Sequence, residues 1–169
     1  MTLIGGTKVC DLDFDFLEKH LALIDMQLER LIANGKASGD ADAFGIFDDI
    51  DSLVGVGFVA CQRYLAATCG WLKVPKQVAL AAGSKHSTGM TIVEIINHAA
   101  NYWKHREEWS GESTSPERQR SNLAMKAIHA LESDYPMMTA LSQITVGTKF
   151  RDMLPDLAWW RDELRQQNA

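Results

Sequence analysis

Asn101 and His105 stand one helical turn apart in the segment Ala-Asn-Tyr-Trp-Lys-His-Arg at 100–106, a spacing that would let an amide and an imidazole work together on one phosphate. The surrounding stretch, MTIVEIINHAANYWKHREEW from Met90 to Trp109, reads as one helix. At about 100° per residue, Ile92, Ile95, Ile96, Ala99 and Trp103 fall on one side, while Glu94, His98, Asn101, His105 and Glu108 gather opposite. A solvated helix face is ordinarily filled with Lys, Glu and Gln. Two histidines and an asparagine on one stripe therefore mark where chemistry would sit, and this face is expected to point outward. Thr91 and Glu94 fit a capping box at the helix start, which accounts for Glu94 without catalysis.

The 100–106 segment resembles the active motif of the HEPN domains, helical bundles found in RNA-cutting toxins, antiphage systems and RNA-processing enzymes. Their pattern is an arginine, a polar residue that is often asparagine, three further residues and a histidine. Asn101 and His105 match the polar residue and the histidine, whereas Ala100 occupies the arginine position. The resemblance implies a metal-independent endoribonuclease without cofactor, with His105 taking the 2′-hydroxyl proton and Asn101 beside it as the catalytic pair. It also implies a homodimer whose two motif helices face one cleft. Such cleavage needs cations on the phosphate, so Lys104 or Arg106 of either subunit would have to replace the missing arginine. His98, Tyr102, Lys104 and Arg106 are the expected binding residues. The implied role is an RNA-directed defence or toxin-type component, with or without cleavage; the alternative is a non-enzymatic module that binds another protein. Clustering of Lys85, Lys104, Arg106 and Arg118 would favour RNA, and a neutral aromatic groove would favour a protein partner. The same residues also have a purely structural reading. In it Tyr102, Trp103 and Trp109 pack in the core or against another subunit, Lys104 and Arg106 pair with Glu107 and Glu108 or with solvent, and His98 and His105 are simply polar helix residues.

Other chemistries find less support. His98 and His105 are seven residues apart, too distant for a compact helical metal pair, and neither His20 nor His129 supplies an HxxxH spacing. Cys10, Cys61 and Cys69 form no CxxC pair, and the last two sit in an apolar helical pattern where a thiol is usually inert. No GxSxG elbow occurs, and VGVG lacks the GK[ST] ending of a phosphate loop. The formal net charge of −5 disfavours generic binding to nucleic acid or anionic membranes. With no basic-then-apolar leader and no apolar stretch of transmembrane length, a cytoplasmic protein is expected, without membrane partners.

The elements that must position these residues are all helical. Leu17, Leu21, Ile24, Leu28 and Leu31 predict a first helix over about Leu12 to Ala33, stopped by Asn34-Gly35. A second and central helix is predicted from about Ala43 to Leu72, with Gly55 and Gly57 present so that a neighbour can approach closely. A short turn is expected at Val78 to Ala82. After the Thr91–Trp109 helix, Ser115 and Pro116 predict the start of a fourth, running to Pro136. A short piece at Met137 to Ile144 precedes a last helix with Leu157, Trp160 and Leu164 inward and Pro155 in its first turn. Of Trp159 and Trp160 one is expected to be exposed, beside Arg161, as at a subunit interface. With 169 residues and 46% hydrophobic content, the chain reads as a single all-α bundle of four long helices plus one or two short ones.

Overall fold

The computed structural model describes residues 2–3, 9–40, 42, 45–108 and 115–168, and these form an all-α bundle. The helices are α1 (Leu12–Ser38), α2 (Ile46–Leu72), α3 (Lys76–Ala81), α4 (Ile92–His105), α5 (Pro116–Ala127), α6 (Pro136–Ile144) and α7 (Leu154–Gln167). Short 3-10 turns lie at Ala130–Glu132 and Phe150–Met153. Among the described residues the only strands are Thr2–Leu3 and Val9–Cys10, paired antiparallel.

Each helix end has a local cause. Asp11 caps α1 by accepting from the Phe14 amide, and the helix runs through the expected stop at Asn34-Gly35. It ends instead at Gly39, whose φ of 73° supplies the left-handed cap, while the Ser38 hydroxyl donates to the Gly35 carbonyl. Gly45, with φ 65°, precedes α2, so that helix begins at Ile46 rather than near Ala43, which lies outside the described residues. Ser115 caps α5 with Pro116 in the first turn, as its sequence predicts. That helix stops at Ala127 rather than reaching Pro136, because His129 adopts φ 57° and turns the chain. The 76–81 stretch is a full helical turn longer than a simple bend, and the 3-10 turn before α7 has no periodic signal in the sequence.

The core lies around α2, which packs on α1, α4 and α6. Two glycines permit this. A Cβ on Gly55 would fall inside the indole of Trp103 on α4, and one on Gly57 inside the ring of Phe150. By length and composition α2 would also suffice to cross a bilayer, which the sequence reading did not anticipate; half of its most apolar window is buried against the other helices. Two buried carboxylates finish the packing. Asp51 accepts from the Met137 and Met138 amides at 2.7 and 3.0 Å, and Asp25 accepts from the Phe150 and Arg151 amides at 2.8 and 3.0 Å. Burial raises the Asp51 carboxyl above the usual carboxylate range, while those two amides pull it back.

Candidate functional site

The polar residues of α4 converge on a cleft between α3, α4 and α5. Thr91 holds the start of α4 by accepting from the Glu94 amide and donating to the Leu80 carbonyl at 2.5 Å, which ties α4 to α3. From α4 the cleft takes Glu94, Asn97, His98 and Asn101. Lys76, Gln77, Leu80 and Ala81 of α3 form one wall and Glu117 and Arg120 of α5 the other, around a volume of about 370 Å³.

Its floor is a closed amide network. Gln62 of α2 donates through Nε2 to the Asn97 carbonyl, to Asn97 Oδ1 and to Asn101 Oδ1 at 3.1, 2.9 and 2.8 Å. Asn101 Nδ2 in turn donates to Glu117 Oε1 at 3.1 Å. Asn101 is only 4% exposed, so the outward-facing position expected for it is wrong. The reason is the wide inner arc of α4, which at Asn97 and Asn101 meets a polar side chain of α2 rather than solvent. His98 is half-buried, with Nδ1 3.2 Å from the Ser121 hydroxyl. Burial lowers its imidazole below the ordinary 6.5, with Arg120 and Lys76 in the same direction and Glu94 and Glu117 opposing.

The last turn of α4 differs. His105 is half-exposed with Nδ1 2.9 Å from Glu108 Oε2, and Lys104 is exposed. Arg106 turns toward Asp51 at 3.6 Å, not toward Glu107 or Glu108. Tyr102 and Trp103 pack against the core, and the Trp103 indole N–H is buried with no acceptor in reach among the described residues. Trp109 lies outside the described residues. Lys85 sits at the opposite end of α4, bridged to Thr91, so it and Lys104 are separated by roughly 20 Å of helix. Ala100 is fully buried in the core.

No protein family, curated protein or solved structure matches this chain.

Thus of the sequence-nominated residues, His98 and Asn101 line one cleft, whereas Lys104, His105 and Arg106 lie beyond it on the final turn. Gln62, Asn97, Glu117 and Arg120 escaped the sequence reading. Gln62 had a signal: it is the polar residue that follows the apolar run LVGVGFVAC. Elsewhere, Trp160 is buried and Trp159 is 51% exposed, as expected of that pair. Arg161 does not extend the exposed patch. It binds Asp11 at 3.1 Å and Asp162 at 2.9 Å and stacks 5.2 Å from the Phe14 ring. Cys61 and Cys69 are free and buried, with burial raising both thiols. His20 and His129 lie on other surfaces, against the Phe16 carbonyl and Glu132.

Proposed function

We propose that this chain is a HEPN-like helical domain that no longer cuts RNA and works as a non-enzymatic interaction module. The observation that carries this reading is the burial of Asn101 within a hydrogen-bonded network. Its oxygen accepts from Gln62, its nitrogen donates to Glu117, and water scarcely reaches it. Turning this buried amide toward a phosphate would give up its hydrogen bonds to the half-buried Gln62 and the exposed Glu117, each worth about 1 kcal/mol. The arginine position offers no help, because Ala100 points into the hydrophobic core. The cleft itself suits a protein segment better than RNA. Lys76 and Arg120 are balanced by Glu94 and Glu117, whereas a run of phosphates calls for an excess of cations. A peptide carrying side chains of both signs would satisfy both walls.

One observation favours a catalytic reading. His105 beside Glu108 has the carboxylate–imidazole arrangement that orients a base, and Lys104 is adjacent. Incubation with single-stranded RNA in EDTA separates the two. The interaction reading expects intact RNA and weak, salt-sensitive binding at most. Metal-independent cutting by the wild type that disappears in His105→Ala would defeat it. For the cleft, calorimetry with short peptides bearing both Lys and Glu should give heat that Arg120→Glu abolishes, while homopolymeric RNA gives none that depends on Arg120.

A further inference from the structure

The first helix carries a second stripe that the bundle does not use. Its core face follows Phe14, Leu17, Leu21, Ile24, Leu28 and Leu31. About 150° around the helix, Leu12, Phe16, Lys19, Leu23, Met26 and Arg30 repeat at alternating steps of four and three, the spacing of a coiled-coil seam. All six are exposed, and the four apolar ones are large, from 52% exposed for Met26 to 59% for Leu23. Four large apolar residues in register between Leu12 and Met26 are not the scattered hydrophobics of an ordinary surface.

We infer that this stripe is the seam of a two-fold dimer in which α1 pairs antiparallel with α1 of a second copy. The charge pattern selects that occupant and that direction. Asp13 and Asp15 lie in the first turn of α1, whereas Arg30 and Lys36 lie toward its end. An antiparallel pair centred near Leu21 sets Arg30 beside Asp13 and Asp15 of the partner subunit, Phe16 against Met26 of the partner subunit, and Lys19 against Leu23 of the partner subunit. A parallel pair would stack acids on acids and bases on bases. The helix dipoles also oppose in the antiparallel pair. Glu29, one of the acids on this flank, is already matched within its own subunit by Lys149 at 2.6 Å and Arg151 at 3.3 Å. Lys19 and Arg30 in the seam cost stability but fix the register, since their stems pack while their charges must reach an acid or water. Next to Phe16, a groove of about 160 Å³ lined by Leu17, His20, Ala60 and Ala67 leaves room for the methionine of the second copy.

The test is sedimentation of the full chain. Wild type should be a dimer at high micromolar concentration, and Leu23→Glu a monomer with unchanged far-ultraviolet circular dichroism. If Leu23→Glu fails to fold, Phe16→Ser serves for the same measurement. Arg30→Glu should weaken the dimer several-fold, and adding Asp13→Lys with Asp15→Lys in the same chain should restore it. A monomeric wild type overturns the inference. So does a dimer that survives Leu23→Glu yet separates in Lys104→Glu, which would put the contact on α4. Failure of the charge swap to restore Arg30→Glu overturns the antiparallel pairing. None of these outcomes depends on whether the chain cuts RNA.

Discussion

The first three turns of α4 and its last turn carry similar residue types under opposite conditions. Asn97 and Asn101 are buried; Gln62 donates to both, and Asn101 donates to Glu117. A few residues on, Lys104 is exposed and His105 half-exposed, with Glu108 2.9 Å from the His105 ring. The difference teaches that a polar stripe on a helix is not one site. Where α2 offers a complementary amide, the polar residues of α4 become packing, whereas Lys104 and His105 stay at the surface.

The sharpest way to break this contrast is to displace α4 from α2. Gly55→Ala should lose about 2–3 kcal/mol, because the new methyl collides with the Trp103 indole and outweighs a helix-propensity gain of about 1 kcal/mol. Urea midpoints of the two proteins measure it, and an unchanged midpoint would refute the tight Gly55–Trp103 contact. Next, Asn101→Ala should cost about 1 kcal/mol by removing its hydrogen bonds to Gln62, which keeps Asn97, and to the exposed Glu117, with helical content preserved. A third effect is one of pH. His98 is harder to protonate in the fold than in the unfolded chain, where its value is near 6.5. As pH falls through that value the unfolded chain takes up the proton first, so stability declines until the lower native value is reached, and then levels off. His98→Gln should lose this component of the decline. The carboxylates, Asp51 among them, titrate in both proteins and cancel in the difference. The smallest effect belongs to the last turn: His105→Ala should shift stability by no more than about 0.5 kcal/mol. A loss as large as that of Asn101→Ala would erase the distinction between the two ends.

Much of the architecture was legible because apolar spacing and capping chemistry are local. Thr91, Ser115 and Pro116 mark their helix starts without reference to any neighbour. Gly55 and Gly57 signalled close approach, although not by which ring. The ends of α1 and α5 were misread since Asn34-Gly35 and the stretch before Pro136 look like stops, and the left-handed residues that actually end these helices, Gly39 and His129, depend on where the chain must go next. The cleft was only half legible. His98 and Asn101 stand out on a helical wheel, but Asn101's partners Gln62 and Glu117 come from helices 39 and 16 residues away, and no periodicity relates them. The outer stripe of α1 was hidden by Lys19 and Arg30, which interrupt the apolar pattern at one-letter resolution yet keep its spacing.

Asp25 and Asp51 carry a consequence for the order in which this chain assembles. Both acids belong to the first two helices, and each completes the start of a helical segment 86 to 126 residues later. The amides at the head of α6 find their buried acceptor on α2, and those at the 3-10 turn before α7 find theirs on α1. Hydrogen exchange of Met137, Met138, Phe150 and Arg151 should therefore report separation from the first two helices rather than fraying of their own segments. A nascent chain emerging from its N-terminus would present these acceptors before the donors that need them exist.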